Sequence, residues 1–100
     1  MVQEIIWSPA ALKDFLNIIS YLQENWTNKE IDNFTNRVDE KLDVLSLHPR
    51  LGSLNSKKMN IHKTIIHKKV ILIYKYKPLK KEIILLNFWN PQQDSKKLTK

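Results

Sequence analysis

Apolar residues in this chain change their spacing once, near residue 50, and that change limits the fold more than any other feature. Leu12, Phe15, Leu16, Ile19, Leu22 and Trp26 recur at intervals of three and four, as do Ile31, Phe34, Val38, Leu42 and Leu45. Such intervals place side chains on one face of a helix. Past Met59 the apolar residues form unbroken blocks instead, Val70-Ile71-Leu72-Ile73-Tyr74 and Ile83-Ile84-Leu85-Leu86. Blocks of that length suit strands covered on at least part of both faces. Helices first and strands after them make an α+β fold, not an alternating α/β one.

The punctuation between these blocks gives the elements. Val2–Trp7 reads as a short opening strand, rich in β-branched and aromatic bulk. Ser8-Pro9 then caps a first helix, because proline at the first helical position loses only an N–H that has no helical partner. Ile18 and Tyr21 fall off the stripe of that helix and are expected to widen its apolar surface. Thr27 and Glu30 form a capping box that opens a second helix, and His48-Pro49 closes it. The two helices thus make a hairpin with a very short turn. Arg50 to Ser56, with the only glycine at Gly52, is expected to be loop. Three strands follow, Asn60–Ile66, Val70–Tyr76 and Glu82–Trp89, joined by basic turns at His67-Lys68-Lys69 and Lys77-Pro78-Leu79-Lys80-Lys81. The order is β-α-α-β-β-β, with the helical hairpin packed on one face of a small antiparallel C-terminal sheet and the other face partly open. One domain spanning 1–100 is expected, its last ten residues a polar tail.

Charge is divided unevenly between the halves. Residues 1–56 hold five cations against eight carboxylates, and residues 57–100 hold twelve lysines against Glu82 and Asp94. A second half carrying a surplus of ten positive charges calls for an anionic partner, although a solvated lysine surface would also keep a small protein soluble. The chain has no cysteine, which removes disulfides, thiolate metal sites and cysteine nucleophiles together. No apolar run approaches the ~20 residues that span a bilayer, and Met1-Val2-Gln3-Glu4 is unlike the basic start of a signal peptide. A cytoplasmic location is expected.

Few kinds of chemistry survive. His62 and His67 are five apart, an odd separation that points strand side chains to opposite faces, so no metal site and no cofactor are expected. One glycine cannot build a phosphate-cradling loop, and no nucleophile elbow is present. Acid–base cleavage of RNA remains. It needs a base for the 2′-hydroxyl, an acid for the leaving oxygen and cations for the phosphorane charge. Lys63, Lys68, Lys69, His62 and His67 are the candidates, and the plainer reading of the same lysines, which the sequence favours, is as solvated strand edges.

Four strings, in order, resemble the RelE/ParE superfamily of bacterial type II toxin–antitoxin toxins, and together they cover nearly the whole chain. Trp7-Ser8-Pro9-Ala10-Ala11, with Asp14 and Ile18-Ile19-Ser20-Tyr21-Leu22, resembles the opening strand and first helix. His48-Pro49-Arg50-Leu51-Gly52 resembles the loop that ends the second helix. Ile61-His62-Lys63 and Val70-Ile71-Leu72-Ile73-Tyr74-Lys75 resemble the basic strand and its neighbour, and Asn87-Phe88-Trp89-Asn90-Pro91 through Leu98 resembles the last strand and tail.

The resemblance implies a toxin neutralised by a cognate antitoxin. Ribonuclease members carry an arginine after the last strand and a tyrosine or histidine near the C-terminus, whereas Gln92 and Leu98 occupy the matching positions here. Lys63 stands where arginine is common, and lysine offers a point charge, not a fork for two phosphate oxygens. The set is depleted, which places the chain nearer the ParE-like branch associated with inhibition of DNA gyrase. The alternatives are a ribosome-dependent mRNA endoribonuclease using Lys63, helped by His62, Lys68 and Lys69, or a non-toxic partner in an autorepressing complex. The antitoxin, expected to bring an acidic C-terminal segment, would meet Ile18, Tyr21 and Trp26 on the hairpin and Lys63, Lys68 and Lys69 on the sheet.

Overall fold

A computed structural model describes residues 3–67 and 70–91. Lys68, Lys69, Gln92, Leu98 and the rest of the tail lie outside the described residues. Seven elements follow in order: β1 (Glu4–Trp7), α1 (Pro9–Asn25), α2 (Asn28–Leu47), β2 (Ser53–Ser56), β3 (Ile61–His67), β4 (Val70–Lys77) and β5 (Glu82–Trp89). The strands form one sheet in the order β1-β5-β4-β3-β2. The C-terminal meander is antiparallel as expected, and β1 adds to its far edge parallel to β5, with Ile5 opposite Ile83.

Both helix starts are capped as the sequence predicts. The Ala11 N–H donates to Ser8 Oγ at 3.0 Å, and the Glu30 N–H donates to Thr27 Oγ1 at 3.2 Å. Caps of this kind contribute about 1 kcal/mol each. The predicted stripe of α2 holds: Phe34, Val38 and Leu45 are buried, with Ile31 and Leu42 packed beside them.

In α1 the expectation needs correcting. Ala11, Ile18 and Leu22 face the core, while Leu12 and Leu16 are 49% and 54% exposed. Positions 11, 15, 18 and 22 are themselves a helical stripe, hidden in the sequence because its first member is only an alanine. A small side chain belongs where a helix comes close to a sheet, and α1 packs chiefly on β5. Rotating the helix by this much carries Ile18 inward, to 2% exposed.

The stretch expected to be loop contains a strand. Ser53, Leu54 and Ser56 pair with Lys63, His62 and Ile61 across a bulge. Its Ser-Leu-Asn-Ser sequence has no strand-forming bulk, and an edge position with one side in water tolerates that.

A second bulge ties α1 to the sheet. Ile73 pairs with Asn87 and Tyr74 with Leu85, which leaves Leu86 as an extra residue on β5. The cap and first turns of α1 bond to this stretch of β5. Ser8 donates from its hydroxyl to the Leu86 carbonyl at 3.2 Å, and Asp14 Oδ2 accepts from Phe88 N at 3.2 Å and Asn87 Nδ2 at 3.1 Å. Trp7, Phe15 and Phe88 meet with ring centroids 5.4–5.8 Å apart, and Phe34 stacks on Phe15 at 6.0 Å. Among the described residues, no helix is long and apolar enough to cross a membrane.

Candidate functional site

Alternation along the strands sorts their side chains onto two faces. Val70, Leu72 and Tyr74 of β4, Ile83, Leu85 and Phe88 of β5, and His62 and Ile66 of β3 lie under the helices. The opposite face carries Ile71, Ile73, Lys75 and Lys77 of β4, Ile61, Lys63 and Ile65 of β3, Glu82, Ile84 and Trp89 of β5, and Glu4 and Ile6 of β1. Both helices pack on the first face, so among the described residues the second is covered only by its own side chains. Ile65 is 63% exposed there, Trp89 is exposed beside Ile71, and Lys63 is exposed between them and Ser53. A groove of about 400 Å³ opens next to Lys63, walled by Leu51, Gly52, Ser53, Ile65 and Ile71. This is an apolar surface with a cationic border, suited to an amphipathic segment carrying carboxylates.

His62 is not on that surface. It is 4% exposed, stacked on Tyr74 with ring centroids 5.3 Å apart. Its Nδ1 lies 3.2 Å from the Gly52 carbonyl and its Nε2 3.3 Å from Asn60 Oδ1. Nδ1 donates to that carbonyl. Nε2 donates to Oδ1 in the charged ring, or accepts from the amide nitrogen once the Asn60 side chain is turned over. In both arrangements the two ring nitrogens are engaged inside the fold. Lys63, the next residue, points to the open face, so the adjacent candidates of the sequence are separated by the sheet. His67 ends β3 on the same strand as His62, not across a turn from it.

Tyr74 anchors the same corner. Its hydroxyl donates to the Pro49 carbonyl at 2.8 Å and accepts from the Gly52 N–H at 3.0 Å. Burial raises its pKa above the ordinary value of 10.0, partly opposed by the Gly52 hydrogen bond, so the phenol stays neutral and cannot serve as a base near pH 7. Gly52 is required by close approach. A Cβ there would sit 2.7 Å from the Lys63 carbonyl oxygen and 2.8 Å from the Tyr74 hydroxyl. The Pro49–Gly52 loop is therefore pinned to the sheet by one tyrosine and one histidine. The lone glycine in a helix-ending loop was the available sequence signal, but its partners 22 and 10 residues away were not legible.

The hairpin residues divide. Ile18 is a core residue and offers no surface to a partner, which corrects its assignment to the antitoxin face. Tyr21 and Trp26 are half-buried, their rings packed against the core edge. The open-face residues Ile65, Ile71, Ile73 and Trp89 were missed individually, since unbroken apolar runs do not say which alternate members stay uncovered.

A family model, "ParE toxin of type II toxin-antitoxin system, parDE", matches residues 5–94. Among solved structures, the chromosomal ParDE toxin–antitoxin system from P. aeruginosa aligns with TM-score 0.68 at 13% identity, over 87% of this chain and 94% of that one. A double arginine-to-alanine mutant of the E. coli toxin RelE in the free state aligns with TM-score 0.64, also at 13% identity, over 95% of this chain and 90% of the other. No curated protein matches the sequence significantly. The two structural likenesses bear on the fold, which is the RelE/ParE arrangement of two helices on a five-stranded mixed sheet, and the family match spans nearly the whole chain. The chain belongs to the ParE toxin family and is the toxin of a type II toxin–antitoxin pair.

Proposed function

We propose that this toxin acts by inhibiting DNA gyrase and that an acidic segment of its antitoxin neutralises it across the open face of the sheet. The observation that carries the first half is the state of His62. Ribonuclease chemistry needs a proton-transfer group that reaches substrate, and His62, one of the two histidines among the five candidates, is buried with both nitrogens engaged. That leaves Lys63 on the surface as a point charge with no acid or base from His62 or Tyr74 beside it. A charge of that kind holds a carboxylate as well as it holds a phosphate.

The antitoxin contact is supported by complementarity. An amphipathic segment would lay its apolar side chains over Ile65, Ile71, Ile73 and Trp89 and its carboxylates against Lys63 and Lys75. Lys68 and Lys69, outside the described residues, are proposed as further counter-charges for the antitoxin, and Tyr21 and Trp26 as a second contact at the edge of the helical hairpin. The toxin and its antitoxin would meet in the cytoplasm, where gyrase works.

Induction of the toxin without antitoxin tests the target. DNA breaks and an SOS response, with translation continuing at first, are the expected outcome. Immediate arrest of translation with cleaved mRNA would assign the protein to the ribonucleases. For the interface, Tyr21→Glu should weaken the complex without unfolding the toxin, and an unchanged titration would place the contact elsewhere.

A further inference from the structure

One end of the sheet carries a feature that the proposed antitoxin contact touches only at Lys75. Two turns lie side by side there, residues 57–60 between β2 and β3 and residues 78–81 between β4 and β5. Each is closed by a residue with positive φ, Asn60 at 58° and Lys81 at 55°, and by a hydrogen bond back to its first carbonyl, at 3.3 and 3.2 Å. Tyr76 N–H donates to the Asn60 carbonyl and Glu4 N–H to the Lys81 carbonyl, so both turns are fastened to neighbouring strands. A cleft of about 420 Å³ lies between them, with Met59, Tyr76, Pro78 and Leu79 among its walls.

Leu79 is 99% exposed at the tip. A lone exposed leucine is ordinary on a protein surface, but this one has company. Pro78 is beside it, Met59 is half-exposed across the cleft, and the two turns with their flanking strand ends supply Lys57, Lys58, Lys75, Lys77, Lys80 and Lys81 against the two carboxylates Glu82 and Glu4. Arg50 adds a cation over the Tyr76 ring, 5.1 Å from its centroid. The result is a projecting apolar tip inside a ring of positive charge, held on a rigid two-turn base.

We infer that this end of the sheet binds duplex DNA, with Pro78 and Leu79 entering the minor groove as an apolar wedge and the lysines of both turns on the phosphates at its rims. Shape selects the partner. The apolar group projects, so the recipient must be concave, anionic at its edges and apolar at its floor. A DNA minor groove has those properties when a base step opens to receive leucine or proline, and paired strands are an established way to present such a tip. The minor groove of A-form RNA is wide and shallow and gives the wedge no walls. An acidic protein would supply the charge but needs a matching pocket for Leu79. The inference is independent of the gyrase reading, because it concerns what the free chain binds and not what it inhibits.

The test uses the full chain, purified away from antitoxin, and a short fluorescent DNA duplex containing 2-aminopurine. Anisotropy across a salt series gives the number of phosphates neutralised, and the 2-aminopurine signal reports unstacking. Lys77→Gln and Lys80→Gln should each reduce the salt slope by about 1, whereas Lys29→Gln, exposed at the start of α2, should leave it unchanged. Leu79→Ala should keep the slope and the melting temperature, abolish the 2-aminopurine rise and weaken binding roughly five- to thirtyfold, the scale for losing most of a leucine's buried surface. A Leu79→Ala protein that binds and unstacks like wild type would overturn the inference. So would displacement of the DNA by polyglutamate or duplex RNA at equal charge, which would make the partner an acidic protein or an RNA.

Discussion

Replacing Tyr74 with phenylalanine removes one oxygen and tests how the Pro49–Gly52 loop is held. The ring is fully buried in β4 and the new residue keeps it, so no apolar contact is lost. Two hydrogen bonds go, one to the Pro49 carbonyl and one from the Gly52 N–H. Each contributes about 1 kcal/mol net, and a buried partner left unsatisfied adds to that, so the loss should be about 2–3 kcal/mol. For a domain of this size that is a fall of roughly 8–24 °C in melting temperature. Gly52→Ala attacks the same joint from the other side. Its methyl would overlap the Lys63 carbonyl and the Tyr74 hydroxyl, forcing the loop to lift and breaking the Gly52 bonds to both Tyr74 and His62. The double variant should therefore be less destabilised than the sum of the two, because both changes break one shared bond. Urea and thermal unfolding of the antitoxin-free chain would measure all four species, since bound antitoxin would mask the differences. A Tyr74→Phe loss below about 0.5 kcal/mol, or full additivity, would refute this account of the loop.

The alkaline limb of stability should carry the same tyrosine. Its folded pKa is raised above 10.0, so the stabilisation is complete below pH 10.0 and is lost as pH climbs through the folded value, and Tyr74→Phe should flatten that limb in a pH series of unfolding curves. Asp14→Ala orphans the Phe88 N–H at the β5 bulge and should destabilise by about 1–2 kcal/mol in urea titrations, with Asp14→Asn recovering part of the loss. Association with the antitoxin should slow as salt is added, in stopped-flow mixing, because the surplus of positive charge in residues 57–100 steers an acidic partner. Lys63→Ala should weaken that complex by about 0.2–1 kcal/mol in calorimetry, the range for an exposed ion pair.

Residues whose role is local were legible in the sequence, and residues whose role depends on a distant contact were not. Ser8 and Thr27 cap as read, because a cap involves only the next three positions. The stripe of α2 was legible because every member is a large apolar residue. The stripe of α1 was legible only in part: Phe15, Ile19, Leu22 and Trp26 meet the core, whereas the fully buried Ala11 shows little in a hydrophobic pattern. β2 escaped notice because edge pairing to β3, not side-chain bulk, makes it a strand. At the candidate site, Lys63 lies exposed on the open face, but His62 could not be placed from its neighbours. Its burial is settled by Tyr74, Gly52 and Asn60, brought together only by the register of β3 on β4 and the return of the loop.

Supercoiling by purified DNA gyrase, with the toxin titrated in and then neutralised by its antitoxin, tests the central claim most directly. The account predicts loss of supercoiling in proportion to toxin, restored by stoichiometric antitoxin, while programmed ribosomes given the same protein keep their mRNA intact. Undisturbed supercoiling together with codon-specific mRNA cuts on the ribosome, abolished by Lys63→Ala, would contradict it and make this protein an endoribonuclease.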